Sequence, residues 1–444
     1  MTTRRLFAEH TYDLAMVALL RQRNYALLWS SATISALGNW LLVAALPYYV
    51  YSTTGSTLAS GGAIISTVAP MVILPSIGGI FADRWDRKRV MFWSDWLRGL
   101  ILLPMLAVHS ASTVWIVFVV GFVGSTVAFF AGPFGAASIP QLVGPDNLPA
   151  ANSGFVVGAN VGRIAGPFAA GALLATGGLS GVVLVDAATF FLSGWLVSLL
   201  LFPVQESAIG STTDSSDVPK TPSGRSIREW RAGLAYIKGE RLLTVLLVTT
   251  MLGGIGGGMF NPLLAPFVRH VLGASAQVYG ALVSVNGAGG LLGAVGLGLL
   301  SRHVRPMVII GSGALLVAAF SLAVDLMPTV PGTLVGMGIA TLCGTASFVS
   351  RQTLFQSSVP TAFGGRVFGT YLSMMALSSL IGMSIGSVLA TGVGIRGTMA
   401  IGGAIQGMAA ILLLLWLRGS PGIVKSPSRE VAVATGGPSR EQRA

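Results

Sequence analysis

Residues 78–89 read Gly-Gly-Ile-Phe-Ala-Asp-Arg-Trp-Asp-Arg-Lys-Arg, a dense knot of charge between two long apolar runs. Of the 444 residues only 9% are charged and 53% are hydrophobic, and the mean hydropathy is +0.76. Soluble domains carry about 25% charge. The knot therefore sits in water, and the runs beside it lie in hydrocarbon, which makes the chain a polytopic membrane protein. The net charge of +12 could suggest nucleic acid as a partner. The basic residues, however, fall in short segments between apolar runs, which is the positive-inside pattern of a membrane protein. Cys343, the one cysteine, allows no intrachain disulfide, and a thiol metal site is not expected.

A chain in hydrocarbon must satisfy its own backbone groups, so the apolar runs predict helices of about 20 residues. Twelve spans are expected, at 26–50, 58–81, 90–108, 113–136, 151–176, 181–203, 243–267, 277–300, 306–325, 331–356, 367–391 and 396–417. Residues 1–25 read as a cytoplasmic N-terminus whose stretch 11–23 forms an interfacial helix, with no cleavable apolar leader. Residues 26–203 form one six-helix bundle and 243–417 a second. The linker 204–242 is rich in Ser, Thr, Pro and Asp, then turns amphipathic at Ile227, Trp230, Leu234 and Ile237, which predicts a helix on the membrane surface. Residues 418–444 are a polar tail expected to be disordered. With both termini cytoplasmic, 22 of the 27 Lys and Arg fall on the inner side and only Arg269 and Arg396 on the outer.

The halves repeat. Leu174-Ala175-Thr176-Gly177 recurs as Leu389-Ala390-Thr391-Gly392, Pro47 and Gly55 match Pro266 and Gly273, and Gly79 matches Gly298. Two parallel six-helix repeats follow, an arrangement found in secondary transporters.

Gly79, Asp83, Arg84, Arg87 and Lys88 fit the pattern Gly-x-x-x-Asp-Arg-x-x-Arg-Lys in the loop between spans 2 and 3. This stretch resembles the signature loop of the major facilitator superfamily, with Asp86 where that family usually has a second glycine. The resemblance covers essentially the whole chain. It implies the major facilitator fold, an all-α membrane protein of two pseudo-symmetric bundles. It also implies a conformational latch built on these residues, with Asp95, Arg98 and Arg366 as expected partners and Asp83 reaching the start of span 11. Simple anchoring in the cytoplasm is the plain alternative.

Span 5 carries Gly158, Gly162, Arg163, Gly166, Pro167 and Gly171. Small residues every fourth position make a smooth face for close helix packing. The pattern resembles the span 5 motif of drug:proton antiporters and implies a sliding interface between the halves. Gly38-Asn39-Trp40, Asp95-x-x-Arg98 and residues 141–152 are similar to the branch containing macrolide and enterobactin exporters. Asn39 stands where many such relatives have an aspartate, and an amide carries no proton.

Membrane-embedded ionisable residues are costly and so mark candidate sites. Arg163 lies near the midplane, with an anionic substrate group or a buried acid as its partner. Asp186 is the candidate for proton coupling, with a structural pair as the alternative. The family's cavity-lining helices nominate Asn39, Trp40, Phe129, Phe130, Asn261 and Gln352, with Tyr371 and Met374 on span 11; Met and aromatic residues tolerate varied apolar ligands. No phosphate-binding Gly-rich loop and no cluster of catalytic side chains is present, so neither enzyme activity nor a cofactor is expected. The resulting expectation is a monomeric, proton-coupled exporter of amphipathic small molecules in the cell membrane, of the kind that confers multidrug efflux and antibiotic resistance. Export of a siderophore or self-made natural product, and facilitation without proton coupling, remain open beside it.

Overall fold

The computed structural model describes residues 18–74, 86–144, 147–201, 233–300, 304, 306–326, 328–359 and 364–418. Helices α1 (Arg23–Thr54), α2 (Thr57–Ile73), α3 (Arg87–Leu102) and α4 (Trp115–Leu142) come first. The stretch Leu148–Ser198 is continuous in its hydrogen bonding, but Gly178 turns inside it with φ 58° and ψ −156°. That conformation breaks a helix and is cheap only for glycine. It divides the stretch into α5 (148–177) and α6 (179–198). The second half brings α7 (Arg241–Phe260), α8 (Ala276–Leu300), α9 (Pro306–Leu326), α10 (Val330–Ser357), α11 (Gly364–Val393) and α12 (Ile395–Arg418). Twelve helices match the twelve expected spans in order. Their ends differ by up to seven residues, at α7, which stops at Phe260 against an expected 267 because a 3-10 turn begins there; the described part of the second ends at Ile73. Large apolar side chains point outward along them, Trp93 at 65% and Phe168 at 64% exposure, as a lipid-facing surface requires.

The repeat is visible in the backbone. The four positive-φ glycines of the described chain form two pairs at nearly equal offset: Gly55 with Gly273, and Gly178 with Gly394. Each stands at the end of a helix with a positive φ that glycine adopts at little cost, and Gly55 does so as a left-handed cap whose N–H bonds the Tyr51 carbonyl. All four lie on one face of the molecule. The first described residues of α1, α3 and α7 and the last of α6 and α12 lie at the other, the terminal face.

On the terminal face each half has its own core: Leu28, Phe134 and Ile139 belong to one cluster, Leu246, Phe355 and Leu413 to another. On the glycine face the halves share a core in which Leu41, Ala45, Tyr48 and Ala170 pack against Leu264, Ala265, Val268 and Tyr279. The Tyr48 and Tyr279 rings stand 5.2 Å apart, and Tyr51 meets His270 edge-on at 5.4 Å. Hydrogen bonds join the halves there too, from Thr57 Oγ1 to the Ser387 carbonyl (3.1 Å) and from Ser60 Oγ to the Pro262 carbonyl (3.4 Å). The helix pairs that meet most extensively across the halves are α5 with α8 and α2 with α11, equivalents under the repeat. This arrangement is closed at the glycine face.

Gly79, Asp83 and Arg84 of the latch, most of the linker and the tail lie outside the described residues. Of the linker's amphipathic stretch, a helix at 233–239 is described, and it buries Ile237 against Leu243 and Leu246 of α7.

Candidate functional site

A cavity of about 600 Å³ lies between the halves, in the size range of small-molecule sites. Its wall is mostly apolar and aromatic, with Phe260, Phe320, Met337 and Phe348 from the second half. A few polar groups break that wall: Trp40 on α1, Arg163 on α5, Asn261 at the end of α7, Tyr279 and Asn286 on α8, Gln406 on α12.

Each polar group has a local cause. Asn261 opens a 3-10 turn, Asn261–Leu263, where Pro262 cannot continue the α-helical hydrogen bonding of α7. Arg163 reaches the cavity because α8 presents glycines to it. A Cβ on Gly287 would stand 3.0 Å from the Arg163 carbonyl oxygen, and one on Gly290 would stand 3.5 Å from Nη2. Its guanidinium lies 5.6 Å from the Trp40 ring centroid, within cation–π range. Among the described lining residues Arg163 is the one carrying formal charge at neutral pH, and none is a carboxylate.

Of the residues expected to line the cavity, Trp40, Arg163 and Asn261 do so. The other six are not among its lining residues. Asn39 points to the far side of α1 and accepts a hydrogen bond from Arg98. Phe129 and Phe130 pack edge-on against each other on α4 at 5.8 Å. Tyr371 is fully buried against Phe355, ring centroids 4.3 Å apart, and Met374 joins that core. Gln352 lies a turn beyond Phe348, the last lining residue of α10. Asn286, Tyr279 and Gln406 were not anticipated; an amide in mid-span is the sequence signal that marks the first and last.

The span 5 motif has two faces. A Cβ on Gly162 would stand 2.7 Å from the Ala36 carbonyl carbon, and one on Gly166 would stand 2.9 Å from the Leu37 oxygen. Gly158 meets the Thr33 hydroxyl. These three glycines seat α5 on α1 inside the first half, which corrects their assignment to the sliding interface. Gly171 does cross between halves, its Cβ position 2.7 Å from the Ala276 oxygen of α8. The Pro167 carbonyl meets Gly280 of α8. On α11, Gly382 and Gly386 pack likewise on Ile255 and Met259 of α7, within the second half.

The described part of the charge knot also acts within one half. Asp86 caps α3, its carboxylate accepting from the Arg89 N–H at 3.0 Å. Arg87 donates to the Ala137 carbonyl near the end of α4 (2.6 Å), and Lys88 to the Leu200 carbonyl beyond α6 (2.6 Å). Cations there complement helix C-terminal dipoles. Asp95 and Arg98 likewise do not extend the knot. Asp95 and the Ser31 carbonyl share the single proton of the Ser193 hydroxyl, whose Oγ lies 2.6 Å from the carboxylate and 3.0 Å from the carbonyl oxygen. Arg98 lies 4.0 Å above the Phe190 ring and bonds Asn39. Both residues thus face α1 and α6 inside the first bundle. Asp186 is fully buried beside Thr189, in a separate cavity of about 50 Å³ with Asn39 and Arg98.

Two six-helix halves related by a repeat, closing on a central cavity, define a transporter of the major facilitator superfamily. Residues 14–423 match the family described as transmembrane secretion effector, and the chain belongs to that family. It is 29% identical over 407 residues to the MFS-type transporter YfiS of Bacillus subtilis (strain 168), covering 89% of this chain and 93% of that one. It is 27% identical over 394 residues to the enterobactin exporter EntS of Escherichia coli O1:K1, covering 86% and 87%. Among solved structures it resembles the peptide-family transporter PepTSo, with a TM-score of 0.67 at 11% identity over 90% of this chain and 98% of that one. It also resembles a bacterial homologue of the human lysosomal transporter Spinster, solved in an inward-facing state, with a TM-score of 0.64 at 17% identity over 94% and 99%. These two establish the fold alone.

Proposed function

We propose that this transporter exports neutral or anionic amphipathic small molecules by alternating access, in exchange for protons, with its terminal face in the cytoplasm. The observation that carries the reading is the central cavity, an apolar and aromatic wall with Arg163 as its one formal charge. Amides at Asn261, Asn286 and Gln406 supply directional hydrogen bonds. A cationic cargo would meet a like charge in a low-dielectric site, whereas an anionic or catechol-like group gains a charge-assisted bond. The relationship to an enterobactin exporter supports a siderophore-like or natural-product cargo. The lysine and arginine distribution supports the orientation, and with it the closed glycine face becomes the outer gate.

In this mechanism the halves rock about the cavity, and α5–α8 and α2–α11 separate at the outer side. Gly171 and Gly280 give the first of these contacts a smooth surface. Asp83 engages the start of α11 near Arg366 as the inner latch in the opposite state. The test is efflux from cells loaded with a catecholate siderophore. Arg163→Ala is expected to abolish most of the efflux at unchanged expression, and unaltered efflux would remove Arg163 from the substrate site.

A further inference from the structure

We infer that the transporter holds an exchangeable proton on Asp186, in a chamber of the first half walled off from the substrate cavity, with Arg98 as the positioning residue. The inference rests on the antiport reading for its use, but the protonation stands on the geometry of the chamber.

Asp186 is 0% exposed, and its Oδ2 has no hydrogen-bond partner. Its Oδ1 has Thr189 Oγ1 at 3.4 Å. The carboxyl lines a cavity of about 50 Å³ together with Asn39, Thr67, Arg98 and Ser125. That space is large enough for a water molecule, and the wall offers polar partners for one. The space around Asp186 is set by the sequence, because a Cβ on Gly38 would collide with both Asp186 Oδ1 and Thr189 Oγ1.

The charge count makes this a proton site. The groups facing Asp186 are Asn39 from α1, Thr67 from α2, Arg98 from α3, Ser125 from α4, and Thr189 from α6 itself, and Arg98 also feels the charge of Asp95 one turn before it on α3. The charged members are two carboxylates and one guanidinium. Fully ionised, the cluster carries one net negative charge in a low-dielectric interior, which is costly; one proton neutralises it. Asp95 has the Ser193 hydroxyl at 2.6 Å, the shorter of that group's two contacts. The vacant oxygen is Oδ2 of Asp186. Arg98 forms no ion pair within 4.0 Å of either carboxylate among the described residues, because its guanidinium is engaged by the Asn39 amide oxygen. This is the arrangement expected with the proton in place. When Asp186 gives its Oδ2 proton to a water molecule, forming hydronium and a carboxylate, Arg98 has reason to leave Asn39 and turn to Asp186. Asn39 and Trp40 are adjacent on α1, so the movement is transmitted to the residue that stacks with Arg163. The amide at position 39 is then the uncharged resting partner of Arg98, rather than a lost proton carrier.

The test is infrared titration of the purified, full-length protein in lipid, which needs neither substrate nor a gradient. Wild type is expected to give a protonated-carboxyl C=O band that titrates well above the exposed carboxylates, which titrate near about pH 4. Asp186→Asn is expected to lose that band, and Asp95→Asn to keep it. A band that survives Asp186→Asn, or a wild type without one, overturns the proposal. If Asp186→Asn does not fold, Asp186→Glu replaces it: a displaced midpoint supports the assignment and an unmoved one overturns it. Arg98→Gln is expected to raise the midpoint of the band, and an unmoved midpoint would deny Arg98 its positioning role.

Discussion

Arg163 is half-buried between Trp40, the cavity and the glycines of α8, so its charge is only partly solvated. A hydrogen bond to a charged group in such a place contributes roughly 1.5–3 kcal/mol. Arg163→Ala is therefore predicted to raise the KM for an anionic cargo about 10- to 100-fold, while a neutral cargo of the same shape is affected much less. Concentration-dependent transport of an acid and its methyl ester measures the difference. Arg163→Lys is predicted to recover only part of the loss, since an ammonium neither stacks flat on Trp40 nor presents a planar fork. At the charge knot, Asp86 caps α3. Asp86→Ala is predicted to lower stability by about 1 kcal/mol, and Asp86→Gly by only a few tenths, because glycine also serves as an N-cap. That ranking gives a physical reason why aspartate stands where the family usually has glycine. Thermal unfolding in detergent reads both variants.

The helices themselves were legible in the sequence because hydrocarbon allows no alternative to a continuous apolar helix. The break at Gly178 falls in the gap between the expected spans 151–176 and 181–203. What could not be read was which partner each small stripe meets. Gly158, Gly162, Gly166 and Gly171 announce close approach in mid-sequence, but the first three seat on α1 and the last on α8. A glycine stripe encodes distance to a neighbour, not the neighbour's identity. The cavity was partly legible for the same reason: Arg163 and Asn261 are polar groups in apolar helices, while Tyr371 looks identical to a core aromatic from sequence, and is one. The two glycine faces predict separable phenotypes. Gly162→Leu drives a side chain into the Ala36 backbone and is predicted to destabilise the protein by about 1–3 kcal/mol. Gly280→Val, facing the Pro167 carbonyl and Gly171, strains only the closed gate. It is predicted to leave expression near wild type while reducing the population closed at the glycine face. Unfolding curves together with the accessibility of a cysteine at Ser275 distinguish the two.

At the scale of the molecule, the halves share a core and hydrogen bonds on the glycine face and have separate cores on the terminal face. Alternating access requires this asymmetry to invert. Spin labels at Ser112 and Ser275, in a Cys343→Ser background, report the separation of the halves at the glycine face. A short distance is predicted at rest, with a longer one gaining population when cargo and protons are supplied. The chamber around Asp186 is lined by residues of the first half alone, so the proposed proton exchange predicts coupling through α1 rather than competition for one site. The proposed transporter is a gradient-driven exporter whose cavity favours neutral or anionic amphipaths. It is tested most directly in proteoliposomes with an acidic lumen, offered a catecholate siderophore and a lipophilic cationic dye in parallel. The account predicts lumenal accumulation of the siderophore, collapsed by a protonophore, with little accumulation of the dye beyond protein-free vesicles. Siderophore movement indifferent to the pH gradient, or a protein-dependent preference for the cation, would contradict it.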